Sequence, residues 1–212
     1  MGDIFLSASV PNRRSPNFVK DADTVAITSA VTALVYLALG RKRIVWGGHP
    51  AITPMVASVA HSLDTNYNEW TKLYQSSFFL DRMPEENEQF SNIVLTAAGD
   101  DLQESLFLMR KQMFEENIFD CAIFIGGMRG VFEEYELFSS MQSDVPCYPI
   151  ASTGGAAEEL LSMSSSSPAT SKRLSFDLDY IPLFREITNI GFDAERQRTH
   201  RDSDTSLKHG DV

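Results

Sequence analysis

"DCAIFIGGMRGVFEEYELF", Asp120 to Phe138, decides the fold. Cys121 to Ile125 are apolar without interruption, so this strand has to be covered on both faces rather than on one. Gly126, Gly127 and Gly130 then surround Met128 and Arg129, and the segment from Val131 reads as a helix carrying Glu133 and Glu134 near its start. A tight turn needs about one glycine. Three, with a cation among them, imply that something approaches the backbone closely.

The same unit recurs outward in both directions. "DIFLSAS" (Asp3 to Ser9) is a short apolar strand. After a polar loop, Asp23 stands as N-cap of a helix to about Ala38, with Ala26, Ile27, Ala30, Val31, Leu34 and Val35 at helical spacing, and Gly40 ends it. "RIVWGGHPAITP" is a strand, a glycine pair and the start of a helix reaching about Leu63. "WTKLYQSSFF" reads as a strand and "MPEENEQF" as a solvated acidic loop. "NIVLTAAGDD" is a strand and turn, followed by an amphipathic helix with Leu102, Leu106, Met109 and Met113 on one stripe. "VPCYPIAS" and "GGAAEELLSM" add a last strand and helix.

Apolar strands alternating with helices predict an α/β fold: a doubly wound, mainly parallel sheet of five to six strands with helices on both faces. Residues 1–162 form this domain. The serine-rich stretch 163–173 reads as a linker, 174–190 as one further helix, and 191–212, mixed in charge and poor in apolar residues, as a disordered tail.

Composition narrows the function. The 212 residues are 43% hydrophobic, enough for one substantial core. A net charge of −11 disfavours nucleic acid and anionic membrane surfaces as partners, while local arginines and backbone amides can still bind a small anion. Cys121 and Cys147 read as reduced core thiols of a cytoplasmic protein. No secretory leader is evident, and the apolar run Val25 to Leu39 is too short and too hydroxylated to span a membrane.

In open parallel sheets, ligands bind beyond the carboxyl ends of the strands where strand order reverses. Four strand ends carry glycine or small hydroxyl residues. They are Ser7, Ala8 and Ser9, with Arg14 in the loop beyond; Gly47, Gly48 and His49; Gly126, Gly127, Met128, Arg129 and Gly130; and Thr153, Gly154 and Gly155. Together they have the make-up of a phosphate and ribose cradle. Arg129 reads either as a phosphate contact or as a salt-bridge partner of Glu133 or Glu134, and His49 either as a ligand contact or as a structural histidine. Neither GxGxxG nor a P-loop lysine is present, and the four histidines are too scattered for a metal site. No cofactor is expected.

At these residues the chain resembles the SLOG superfamily, the Rossmann-like group that includes the DprA fold and the LOG nucleotide phosphoribohydrolases. "WGGHPAITPMV" stands where the family has a glycine-rich loop. "FIGGMRGVFEEY" is similar to the LOG signature PGGxGTxxE, with Ile125 for proline, Arg129 as an extra residue and Val131 for threonine. "IFLSASVP", "GGHPAI" and "IFIGGMRGVFEEY" resemble still more the SLOG domains of bacterial antiphage systems such as Thoeris, which bind a cyclic ADP-ribose signal.

The resemblance implies a sensor of a nucleotide-derived, ADP-ribose-like ligand, homo-oligomeric, with any effector a separate protein. It equally offers a phosphoribohydrolase, in which Glu134 and Arg129 would be catalytic. The altered, lengthened signature bears on catalysis more than on binding, since a displacement of about 1 Å can cost on the order of a hundredfold in rate.

Overall fold

The computed structural model describes residues 2–11, 21–63 and 67–197. Strand β1 (Asp3–Ser9) is followed by α1 (Thr24–Ala38), β2 (Ile44–Trp46), α2 (Thr53–Ser62), the single turn α3 (Tyr67–Trp70) and β3 (Thr71–Ser76). Two 3-10 turns, Ser77–Arg82 and Glu85–Gln89, lead to β4 (Ile93–Thr96). Then come α4 (Leu102–Glu115), β5 (Phe119–Gly126), α5 (Arg129–Met141), β6 (Cys147–Ile150), a 3-10 turn Ala151–Thr153, and α6 (Ala156–Leu161), α7 (Pro168–Phe176) and α8 (Tyr180–Thr188).

The six strands form one sheet in the order β4-β3-β2-β1-β5-β6, and every neighbouring pair is parallel. The period of two along each strand divides the core. Ile4, Leu6, Ile44, Trp46, Leu73, Cys121, Ile123 and Ile125 face α1, α2 and α8. Phe5, Val45, Tyr74, Ala122 and Phe124 face α4, α5 and α6. Both sides being covered is why the middle of β5, Cys121 to Ile125, is apolar without a break. On the second face Phe5 stacks on Phe138 at 5.1 Å and meets Phe114 edge-on at 4.9 Å, which locks β1 to α4 and α5.

Chain order runs outward from β1 to β4, then returns so that β5 lies beside β1. The switch in direction therefore falls between β1 and β5, whose carboxyl ends pair as Ser7 with Phe124, Ala8 with Ile125 and Ser9 with Gly126.

Three segments differ from the sequence expectation. The stretch 163–173 is not wholly linker: Ser167 Oγ accepts from the Thr170 amide, Pro168 opens α7, and that helix runs on past residue 173 to bury Leu174 in the core. Serines that suggested low complexity supply a helix cap. Secondly, the acidic stretch Met83 to Phe90 is not simply solvated, since Asn87 and Phe90 are buried and Phe90 packs on Trp46 at 5.2 Å.

Thirdly, the part of the tail from Gly191 to Gln197 is held in place. Arg196 donates to the carbonyls of Tyr36 and Leu39 at the end of α1, the Gln197 amide donates to Gly40 O, and Arg41 Nε donates to Ala194 O. Arg196, and Arg41 through NH1 to Leu37 O at 2.9 Å, satisfy the free carbonyls of a helix end. Residues 198–212 lie outside the described ones.

Candidate functional site

A cavity of about 350 Å³ opens at the carboxyl edge of the sheet. Its floor is made by the ends of β1, β2 and β3, through Ala8, Ser9, Trp46, Gly47, Gly48 and Gln75. One wall is α4 with the start of α5, contributing Leu102, Leu106, Met109, Arg110, Met128, Gly130 and Glu134; the opposite side brings His49, Pro50, Ile52, Phe79, Arg82 and Pro84.

Charge in the cavity is organised around Arg110. Its Nε donates to Glu134 Oε1 at 3.3 Å, its NH1 to Glu133 Oε2 at 3.0 Å, and its NH2 to the Gly130 carbonyl at 3.2 Å. The other oxygen of Glu134, Oε2, accepts from Ser7 Oγ at 2.5 Å. The Arg110 side chain is 8% exposed, and Glu134 keeps 18% of its side chain accessible. A carboxylate fixed on one side by a buried cation and on another by a hydroxyl, yet still open to a cavity, is oriented to accept hydrogen bonds from a ligand.

The glycines around it have separate reasons. Gly127 adopts φ +86°, and a Cβ there would lie 2.3 Å from Val131 Cγ2, so only glycine lets α5 start this close to the sheet. Gly47 passes beneath Glu134 with a Cβ position 4.0 Å from Oε1. Helix α5 opens on Met128 without a side-chain cap and with no acidic residue in its first turn. No side chain therefore satisfies the amides at its start, although the Val131 amide donates to Met128 O at 2.9 Å.

Of the residues picked out in the sequence, Ala8, Ser9, Gly47, Gly48, His49, Met128, Gly130 and Glu134 line the cavity, and Ser7 reaches it through its bond to Glu134. His49 is placed by its own turn, its Nδ1 accepting from the Ala51 amide at 3.1 Å, and burial lowers its pKa below the usual histidine range. Gly126 and Gly127 lie behind the lining. Arg129 points outward, 74% exposed, with Nε donating to Glu133 Oε1 at 2.9 Å. Arg14 lies outside the described residues.

Thr153, Gly154 and Gly155 stand away from the cavity and brace it. Thr153 Oγ1 accepts from the Gly126 amide and donates to Ile150 O, while Gly127 O accepts from the Ala156 amide. The close backbone approach that their glycines allow is to the protein itself. Arg110 is the residue that sequence reasoning missed. It sits in an amphipathic stripe between Met109 and Met113, and its being charged on a buried face was the signal.

A family model, the SLOG cluster3 family, matches residues 17–188. The chain belongs to that family. SLOG domains generally bind nucleotides, and the match runs through α7 and α8. No curated protein matches the chain. Among solved structures, the X-ray structure of TM1055, a Northeast Structural Genomics Consortium target, is similar: TM-score 0.53 and 14% identity over 88% of this chain and 99% of that one. At that identity the likeness concerns the fold alone. Among the described residues no helix of this SLOG protein is long and apolar enough to cross a membrane.

Proposed function

We propose that this SLOG domain binds a nucleotide-derived ligand in the cavity, as the sensor of an ADP-ribose-like or cyclic ADP-ribose signal in bacterial signalling or antiphage defence. The observation that carries the binding reading is Glu134, held by Ser7 and Arg110 at the switch point between β1 and β5. On this reading its accessible oxygen lone pairs accept from ribose hydroxyls. The uncapped start of α5 and the exposed Arg129 receive a phosphate beside it. The output passes to a separate effector, and the sensor works as a homo-oligomer.

Calorimetry and thermal shift with AMP, ADP-ribose and cyclic ADP-ribose isomers test this. A binder at a hundred times its Kd stabilises the fold by about 2.7 kcal/mol. Absence of any shift across the panel would refute the reading.

A second reading rests on the same carboxylate being paired with a buried cation inside a cavity. A phosphoribohydrolase breaks the C1′–N bond of a nucleoside monophosphate, joins a water oxygen to C1′ and releases the base with a proton. Glu134 would face the positive charge developing at C1′ and take the water's proton, with Arg110 fixing its orientation. Chromatographic detection of free base from AMP separates the two: release that disappears in Glu134→Gln supports the enzyme, and binding without release supports the sensor.

A further inference from the structure

The cavity extends well past the charged cluster. Between β5 and β3 lie three strand spacings of about 4.8 Å each, or roughly 14 Å, and the β3 end of the cavity is built differently. There the lining consists of Trp46, Gly48, Gln75, Phe79 and Pro84, with the exposed Arg82 at the rim. Trp46 is fixed by its Nε1 bond to Thr53 Oγ1 at 3.2 Å and by its edge contact with Phe90.

Among these apolar surfaces sits one carboxamide. Gln75 is 5% exposed; its Oε1 accepts from Asn87 Nδ2 at 3.4 Å and lies against Gly48, where a Cβ would come within 2.2 Å. No described residue holds its Nε2. Next to it Asn87 Oδ1 is buried and has no hydrogen-bond partner among the described residues. Buried carboxamides with spare hydrogen-bonding capacity are costly unless something else uses it. Flat apolar walls with a single amide suit a heterocycle that presents π-faces and one hydrogen-bonding edge. A second phosphate would find a cation only at the rim, in the exposed Arg82, and none among these walls.

We propose that Gln75 reads the edge of a nucleobase, and that the turn segment Ser77–Gln89 supplies the wall against which that base lies. This rests on the nucleotide-binding reading above and deepens it, making Gln75 a specificity-determining residue. The base lies toward β3 and the ribose-phosphate toward Glu134 and the start of α5, so the ligand spans the cavity.

The test measures affinity by calorimetry for AMP, GMP, CMP, UMP and ribose 5-phosphate, on the full chain and on Gln75→Glu, Gln75→Leu and Phe79→Ala, each first checked by thermal melting. The parent should discriminate among the four bases. Gln75→Leu should lose roughly 5- to 150-fold for the preferred base, the range for one good side-chain pairing to a base edge, with ribose 5-phosphate unchanged. Gln75→Glu, which replaces a donor by an acceptor, should reorder the bases. Phe79→Ala, in a partly exposed turn that tolerates truncation, should weaken all four nucleotides and spare ribose 5-phosphate. Equal affinity of the parent for all four bases, or an equal loss for ribose 5-phosphate in the Gln75 variants, would overturn the base-reading role while leaving the nucleotide reading intact. If the parent binds none of these nucleotides, nor ribose 5-phosphate, nor ADP-ribose or its cyclic isomers, the nucleotide reading itself fails, and this inference with it.

Discussion

Arg110 is the side chain on which the cavity's carboxylates depend. Its three nitrogens engage Glu134, Glu133 and Gly130 O, so removing it leaves the partly buried Glu134 without a cation and Glu133 with only the exposed Arg129. Arg110→Ala should therefore cost roughly 2–4 kcal/mol of folding stability, toward the lower end for breaking a buried pair because both glutamates retain some solvent. Urea denaturation measures it, and a loss below about 0.5 kcal/mol, the scale of an ordinary surface substitution, would refute the assignment. Arg129 carries the same charge but is 74% exposed and bound only to Glu133 in the pairs described. Its replacement by alanine should move stability by about 0–1 kcal/mol, as for exposed pairs. The contrast between the two variants is itself the check that the buried arginine organises the site. His49 adds a pH dependence. Burial lowers its folded pKa below the unfolded value near 6.5, so the unfolded chain takes up the proton first as pH falls. Its contribution to stability is thus fully present above about pH 6.5 and is lost progressively below that value. In His49→Gln the slope of stability against pH just below 6.5 should flatten; an unchanged slope would show that other groups set it.

At the scale of elements, the loops and the tail separate what composition conveys from what only geometry conveys. The strand–glycine–helix units were legible because burial on both faces leaves an unmistakable apolar run, as in Cys121 to Ile125, and because Asp23 is a cap with an evident partner in the amides of Val25 and Ala26. The role of each glycine pair was not legible. Gly47 and Gly48 line the cavity, whereas Gly154 and Gly155 let one loop pass against another: a Cβ on Gly154, at φ +67°, would lie 2.0 Å from the Asp21 carbonyl oxygen. Gly154→Ala should consequently destabilise by roughly 2–4 kcal/mol through backbone displacement, visible as a fall in melting temperature. A parent-like melt would remove the close approach. The tail shows the opposite failure. Low apolar content concealed Arg196 and Gln197, which bind backbone carbonyls at the end of α1 rather than core. A chain ending at Ile190 should lose roughly 1–3 kcal/mol, from several half-exposed hydrogen bonds, relative to one ending at Gln197. That corresponds to a drop of roughly 2–10 °C. Equal melting of the two would mean that the docked segment contributes nothing.

Across the whole molecule, helical periodicity identifies which face of α4 is buried but not what it meets. Arg110 finds its carboxylates 23 and 24 residues further along, on another helix, a pairing fixed by the crossover that sets β5 beside β1. The two edges of the sheet are likewise unequal in a way that bears on the proposed homo-oligomer. At one edge β6 carries Pro149, which lacks an amide hydrogen and discourages a further strand. At the other edge β4 has no proline, Leu95 on it is 56% exposed, and α4, which packs on β3 and β4, exposes Leu102 and Phe107. An unprotected edge with apolar side chains on and beside it is where a second copy can pair. Light scattering at micromolar concentration should give at least twice the 23.7 kDa of one chain. Leu95→Lys should return it to a single chain with little change in melting of the separated protomer, because the leucine is exposed there. A single-chain mass for the parent, or an assembly indifferent to Leu95→Lys and Phe107→Glu alike, would remove the β4 edge as the contact.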